Sequence, residues 1–179
     1  MARVMKWAAV LSFMLTAAFA GFYFLACPWA MPFAITFGTC FYHFAMRLLV
    51  GHGIDRIMGN HADYSRRWYQ LLPFEARLYR RLRVKKWKGR MPTYDPDCFD
   101  PKQHSWEEIA QAMCQAEIVH EVIVFFSFIP LLFAIPFGSF GVFAVTSLLA
   151  ALYDLSFVIM QRFNRPRIIN LIEKERAAK

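Results

Sequence analysis

The hydrophobic positions of this chain fall into two long blocks, residues 7–50 and residues 118–160, and charged positions fill the stretches between and after them. Each block can cross a bilayer twice, because about 20 apolar residues in a helix span its hydrocarbon core. A short turn divides each block, at residues 27–32 with two prolines and at residues 137–141 with two glycines. The pattern predicts an all-α fold, a polytopic membrane helical bundle whose four transmembrane helices cover about residues 7–26, 33–50, 118–136 and 141–160.

The charged stretch between the blocks predicts helices that lie at the membrane surface. Residues 73–82 place Phe74, Leu78 and Leu82 on one stripe with arginines off it, which is typical of a helix in the membrane interface. We therefore predict a single integral membrane domain over residues 1–179, in which residues of about 51–117 form a cytoplasmic interfacial loop.

The start of the third span carries a helix-capping pattern. Ser105 and Glu108 have the spacing of a capping box, so the helix is expected to begin near Trp106, outside the membrane. It then enters the membrane as one rod, with a kink at Pro130. After the fourth span, Pro166 suits a first helical position and predicts a C-terminal amphipathic helix over about residues 166–177.

The positions of the positive charges predict the orientation of the chain. The net charge is +8, and all 21 lysines and arginines lie before residue 7, between residues 47 and 102, or after residue 161. Neither short turn carries one, and positive residues collect on the cytoplasmic side of membrane proteins. We expect a multi-pass protein of the cell membrane with both termini cytoplasmic. No nucleic-acid docking motif accompanies the charge, so membrane lipids and not nucleic acids are the expected partners.

The first apolar segment has a second interpretation, because Ala18-Phe19-Ala20 resembles the cleavage site of a signal peptide. The apolar run continues to Ala26, longer than a signal core needs, which favours an uncleaved span. Ala17 and Gly21 have the spacing of small residues that lets two helices pack closely, so a homo-oligomer is an open possibility.

Three ionisable residues, Glu117, His120 and Glu121, lie where the third span begins. Helical spacing places His120 and Glu121 on the face of Glu117. Ionisable groups at membrane depth are costly and are functional candidates, and a histidine beside a carboxylate can take a proton from a hydroxyl. A charged collar at the interface is an equally open reading. Glu-x-x-His can also bind a metal, but the sequence has no second such pair and we expect no metal site.

A second candidate cluster directly follows the fourth span in Gln161-Arg162-Phe163-Asn164-Arg165-Pro166-Arg167. Three arginines next to a helix N-terminus suit a phosphate or a carboxylate. The alternative is a charge cluster that binds lipid headgroups. The candidate substrate-binding residues are Arg162, Asn164, Arg165 and Arg167.

Other polar residues leave their roles open. Lys85 and Lys86 with Trp87 could hold an anionic donor or anchor the chain at the membrane surface. Asp154 lies within the fourth span, where an unpaired carboxylate is expensive, so it should have a partner. His43 or a nearby tyrosine could be that partner, for helix pairing or for catalysis.

At three segments the sequence resembles a known family, the glycosyl-4,4'-diaponeurosporenoate acyltransferases of the staphyloxanthin type of carotenoid pathway. The residues that carry the resemblance are Val84-Lys85-Lys86-Trp87-Lys88, Ala116-Glu117-Ile118-Val119-His120 and Gln161-Arg162-Phe163-Asn164-Arg165-Pro166-Arg167. Their order and separation are similar too. The resemblance covers roughly residues 75–175.

The resemblance implies an enzyme that transfers a fatty acyl group from an acyl thioester to a hydroxyl of a glycolipid. His120 would take the proton of that hydroxyl, and Glu117 or Glu121 would orient the imidazole. Arg162, Arg165 and Arg167 would hold the donor or stabilise negative charge. The donor would be acyl-CoA or an acylated carrier protein, and no further cofactor is expected. Two alternatives remain at this point: a small methyltransferase or reductase of the isoprenylcysteine-methyltransferase type, and a non-enzymatic membrane adaptor.

Overall fold

The structure, a computed structural model, describes residues 2–178, so Met1 and Lys179 of the predicted domain lie outside the described residues. Within residues 2–178 the regular elements are helices and there is no strand, which confirms the all-α prediction. The α-helices are α1 (Ala2–Phe24), α2 (Met31–Met58), α3 (Pro73–Arg81), α4 (Val84–Trp87), α5 (Trp106–Phe126), α6 (Ala134–Phe137) and α7 (Phe140–Ala177). Short 3-10 helices cover Pro28–Ala30, Arg67–Tyr69, Lys88–Arg90, Asp97–Phe99 and Ile129–Phe133.

Four helical segments of residues 2–178 are long and apolar enough to cross a membrane: Arg3–Phe24, Pro28–Met58, Trp106–Phe137 and Phe140–Ala177. Each overlaps one of the four predicted spans, which confirms their number, although the first ends at Phe24 and not at residue 26. In the most apolar part of the first segment, only 6% of the residues are buried inside the protein. In that part of the last segment, 33% are buried. Apolar helices this exposed need lipid around them, because water would not tolerate so large an apolar surface.

The chain comprises two compact units. Unit 1 contains the residues up to Gly51 together with Val122–Tyr153, and unit 2 contains His52–Glu121 together with the residues from Asp154 onward. Within unit 1, aromatic rings join α1 to α2: Phe19 stacks on Phe33 and Phe37 with ring centroids 5.1 and 5.6 Å apart. The Tyr42 hydroxyl donates a 2.8 Å hydrogen bond to the carbonyl of Phe126, the last residue of α5. That bond satisfies one of the carbonyls that a helix end leaves open.

Side chains close the helix ends of unit 2. The predicted capping box is confirmed: the Ser105 amide donates to the Glu108 carboxylate at 2.8 Å and the Glu108 amide to the Ser105 hydroxyl at 3.3 Å. Past the end of α2, the Asn60 amide donates to the Gln115 side chain at 2.6 Å, and Gln115 in turn donates to Asp55 at 3.0 Å. These bonds hold the C-terminal turns of α2 against α5.

The structure corrects the predicted C-terminal helix and defines the ends of two others. The separate C-terminal helix expected from Pro166 is wrong, because α7 continues through Pro166 to Ala177. A proline inside a helix costs a backbone hydrogen bond. The side chains of Arg162 and Arg165, in the turn before Pro166, bind other parts of unit 2 and stabilise the helix there. The second helix, Met31–Met58, contains the predicted span 33–50 and extends beyond it at both ends. The third span begins at Trp106, as predicted, and α5 runs unbroken to Phe126; near Pro130, where a kink was predicted, the chain is a 3-10 helix.

The predicted surface helix is present as α3, Pro73–Arg81. Its Glu75 and Tyr79 are buried, whereas Phe74, Leu78 and Leu82 are 58%, 42% and 45% exposed. The predicted apolar stripe is therefore open to its surroundings. That this stripe faces a bilayer stays a prediction.

Candidate functional site

In unit 2, His120 of α5 pairs with Asp154 of α7. The His120 Nδ1 and Asp154 Oδ1 atoms are 2.9 Å apart. The Asp154 side chain is 1% exposed, and that of His120 is 21% exposed. The imidazole lies flat on the ring of Phe157, with centroids 4.5 Å apart and planes 7° from parallel. Asp154 and Phe157 are one turn apart on α7, so a single helix face orients the imidazole by a hydrogen bond and by stacking.

This pairing assigns different roles to the two ring nitrogens. A carboxylate accepts hydrogen bonds, so the neutral imidazole carries its proton on Nδ1 and donates it to Asp154. Nε2 then has a free lone pair, and within residues 2–178 no group is hydrogen-bonded to it. An imidazole with a buried carboxylate on one nitrogen and a free lone pair on the other is the arrangement of a general base.

Both carboxylate oxygens of Glu117 accept hydrogen bonds from arginines. It is fully buried, and its Oε1 accepts from Arg162 Nη1 at 2.6 Å while its Oε2 accepts from Arg165. The sequence suggested that Glu117 or Glu121 would orient His120. The carboxylate that contacts the imidazole is Asp154 instead.

Arg162 uses all five of its N–H donors inside the protein. Nε and Nη2 donate to the two oxygens of Glu75 at 2.7 and 2.9 Å. Nη1 donates to Glu117 and, at 2.8 Å, to the Trp68 carbonyl, and Nη2 also donates to the Gln70 carbonyl at 2.9 Å. A guanidinium has five N–H donors, so none is left for a substrate.

Glu75 is ionised in this network. Burial alone would raise the pKa of its carboxyl, but hydrogen bonds from Arg162, the Leu72 amide and Tyr79 outweigh burial and hold that pKa below its ordinary value. Burial and the bond to the Glu75 carboxylate together raise the pKa of the Tyr79 phenol, whose hydroxyl donates to Glu75 at 2.9 Å. The negative charge of the Glu75 carboxylate is therefore fixed in position on α3.

Arg165 completes the network from one turn further along α7. It is 1% exposed, it donates from Nη1 to the Tyr69 carbonyl at 2.7 Å, and its guanidinium lies 5.1 Å from the centre of the Tyr69 ring. The two arginines therefore bind three consecutive carbonyls, those of Trp68, Tyr69 and Gln70. They fix this short turn onto α7, and the turn positions the Trp68 indole, which donates to Glu121 Oε2 at 3.2 Å.

A further positive charge, that of Lys88, contacts Asn164. Lys88 donates from Nζ to the Asn164 side-chain carbonyl and lies 4.9 Å from the centre of the Phe163 ring. Burial lowers the pKa of Lys88, and the charges of Arg167 and Lys85 lower it further. An anion bound at Lys88 would relieve this repulsion.

The remaining predicted residues lie at the surface. Lys85, Lys86 and Arg167 are exposed. The indole of Trp87 is half-buried and donates to the Leu82 carbonyl at 3.1 Å. Within residues 2–178, no three His, Cys, Asp or Glu side chains converge as metal ligands.

Several residues of the site escaped the sequence pattern. The need of Asp154 for a partner was recognisable, but His120 was not paired with it, because the two lie 34 residues apart. Glu75 and Trp68 carried no signal at all. Lys88 was visible as part of a basic run, but not as the lysine that binds Asn164.

Residues 65–174 match the sequence profile of the glycosyl-4,4'-diaponeurosporenoate acyltransferases. The match spans more than half of the chain. The chain belongs to this family. It is accordingly a membrane acyltransferase of the carotenoid-biosynthesis type, which sets aside the methyltransferase, reductase and adaptor alternatives. The matched range contains His120, Asp154 and both arginines. Comparison with curated proteins and with solved structures gives no match.

Proposed function

We propose that this acyltransferase moves a fatty acyl group from an acyl thioester to a sugar hydroxyl of a glycolipid, at the cytoplasmic face of the membrane. The observation that carries the proposal is the His120–Asp154 pair, in which a buried carboxylate orients a partly exposed imidazole. The family name supplies the acceptor class, a glycosylated carotenoid acid, and the acyl transfer.

In the proposed step, Nε2 of His120 removes the proton of the acceptor hydroxyl as its oxygen attacks the thioester carbonyl. Asp154 stabilises the imidazolium that forms. The tetrahedral intermediate then collapses, the carbon–sulfur bond breaks, and the imidazolium returns its proton to the departing thiolate. The products are an ester and a free thiol, and the enzyme is unchanged.

The arginine–carboxylate network serves as a positioning framework in this mechanism. Arg162 has no donor left for substrate, and Arg165 is almost fully buried, so we do not assign the acyl donor to them. Glu117 lies one turn before His120 on α5, and Arg162 lies two turns after Asp154 on α7. Their ion pair holds the two helix faces in register within unit 2.

We assign the acyl donor's anionic groups to Lys88, which contacts Asn164, and to Lys85 and Arg167. Lys88, Lys85 and Arg167 form a mutually repelling cluster that a phosphate would stabilise. Exposed Lys86 and half-buried Trp87 flank the cluster in sequence. Acyl-CoA and an acylated carrier protein both carry phosphate next to the thioester arm, so either donor meets this chemistry.

Unit 1 offers a separate site for a hydrocarbon chain. A cavity of about 650 Å³ lies among α1, α2 and the segment around Pro130, and its lining is largely apolar, including Phe133, Phe137 and Phe143. This volume falls within the range typical of small-molecule sites. We assign the cavity to an alkyl or polyene chain of a substrate.

Lipid mass spectrometry of cells with and without the gene tests the reaction. We expect an acylated glycolipid to disappear on deletion, and its unacylated precursor to accumulate. Complementation with His120→Ala should fail at normal expression, whereas His104→Ala, which changes a partly exposed histidine that precedes α5, should restore the product. Full restoration by His120→Ala would refute the base assignment, and an unchanged lipid profile on deletion would refute the acyl transfer.

A further inference from the structure

Trp68 presents a large aromatic surface at the site, and no role in acyl transfer accounts for it. It is 63% exposed, although its backbone belongs to a turn that two arginines bind. Its own carbonyl and the next two along the chain accept hydrogen bonds from Arg162 and Arg165 at 2.7–2.9 Å. A ring exposed on a rigid turn loses little conformational freedom when a ligand packs on it.

The indole is joined to a carboxylate with spare acceptor capacity. Trp68 Nε1 donates to Glu121 Oε2 at 3.2 Å, and Glu121 is half-buried. Within residues 2–178 no donor is bound to Glu121 Oε1. Glu121 directly follows His120 on α5. An exposed aromatic face and a free acceptor therefore occur together, and the acceptor is one residue from the proposed base in the sequence.

We propose that Trp68 and Glu121 bind the sugar ring of the acceptor, an inference that rests on the proposed function. A pyranose has a face of C–H groups and a rim of hydroxyls. The C–H face packs on an aromatic ring, whose face carries partial negative charge. The rim hydroxyls donate to a carboxylate, and bonds to an ionised acceptor are the stronger kind. Trp68 thus selects a ring, and Glu121 selects hydroxyls on it.

The same arrangement explains why the turn at residues 68–70 is tied to α7. A sugar platform on a mobile loop would leave the reacting hydroxyl at variable distances from Nε2 of His120. Misplacement of a reacting group lowers the rate steeply. With the turn bound by both arginines, the platform and Asp154 are carried by the same helix, α7.

Saturation-transfer NMR with methyl β-glucopyranoside tests the site without requiring catalysis. The wild-type protein in lipid nanodiscs should transfer saturation to the ring C–H protons of the probe, and Trp68→Leu should abolish the transfer. Trp68→Phe, which keeps an aromatic face, should retain part of it, and Glu121→Gln should weaken it. Trp7→Leu is the matched control, because Trp7 is a 72% exposed tryptophan of α1, and it should behave as wild type.

Steady-state kinetics give the second readout. Trp68→Leu should raise the KM for the glycolipid acceptor roughly tenfold, equivalent to about 1.4 kcal/mol, and leave the KM for the acyl donor unchanged. Saturation transfer that persists in Trp68→Leu would overturn the proposal. A variant that loses only membrane association would also overturn it, because Trp68 would then be an interfacial anchor.

If wild type binds the probe but transfers no acyl group, the proposed function fails and the sugar site stands. If it transfers acyl groups without binding the probe, the sugar site alone fails.

Discussion

Glu117 and Arg162 form a buried ion pair with 2.6 Å between Oε1 and Nη1, and the other carboxylate oxygen of Glu117 is bound by Arg165. Two arginines thus share one fully buried carboxylate. Arg162 also forms an ion pair with a second carboxylate, that of Glu75. Two positive charges meet two negative ones, so the group is neutral as a whole. Neutrality is what allows four charged side chains to be buried together.

Glu117→Gln should lower the free energy of unfolding by roughly 3–5 kcal/mol, because it leaves the buried Arg165 without its countercharge. Chemical denaturation of the protein in nanodiscs measures the loss. Glu107→Gln is the control: its pair with Arg176 spans 3.5 Å at the surface, and its removal should cost under about 1 kcal/mol. The double variant Glu117→Leu/Arg165→Leu should be more stable than Glu117→Gln. Equal losses for the Glu117 and Glu107 variants would contradict the framework role.

Asp154→Asn should reduce kcat by about 10²–10⁴, because an amide neither fixes the Nδ1 tautomer nor stabilises the imidazolium. The acceptor KM should change little, since Asp154 is 1% exposed and has no surface for substrate. Kinetics on the purified variant check the split, with Asp97→Asn as the surface control. A variant with full kcat would remove Asp154 from the mechanism.

The free energy of unfolding should depend on pH through the ionisation of Glu75. Its folded pKa is held below the ordinary 4.5 by Arg162, the Leu72 amide and Tyr79, against the effect of burial. A lowered folded pKa contributes stability above the ordinary pKa, and that contribution is lost as pH falls through the folded value. The advantage of wild type over Glu75→Gln should therefore be larger at pH 7 than at about pH 3. Exposed Glu173→Gln should differ little from wild type at either pH. An advantage that grows on acidification would contradict the ion-pair assignment.

Lys88→Met should raise the KM for the acyl donor and leave the acceptor KM unchanged. The methionine keeps the unbranched chain but removes the ammonium that donates to Asn164 and whose pKa is lowered by the charges of Arg167 and Lys85. The expected rise is about tenfold, typical of one lost charge-assisted hydrogen bond. Lys102→Met, an exposed lysine elsewhere in unit 2, should have no effect. Equal donor KM values for the two variants would place the donor elsewhere.

The spans and the capping box of α5 could be predicted because each depends on neighbours in sequence. Apolar length predicts a span, and Ser105 and Glu108 are three residues apart, so their mutual bonds form within one helical turn. The separate helix predicted from Pro166 was wrong, because that prediction used local sequence alone. The local preference of Pro166 for a helix start is real, but the anchors of Arg162 and Arg165 decide that α7 continues.

The sequence by itself determined a helical membrane protein of this acyltransferase family, since hydropathy and three short segments carry that information locally. Only the tertiary structure decided which charged group meets which. Glu117, nearest to His120 in the helix pattern, is bound by arginines 45 and 48 residues away, and Asp154, 34 residues away, contacts the imidazole. The physical reason is burial: a charge removed from water must find a countercharge in space, and sequence spacing does not reveal which helices meet.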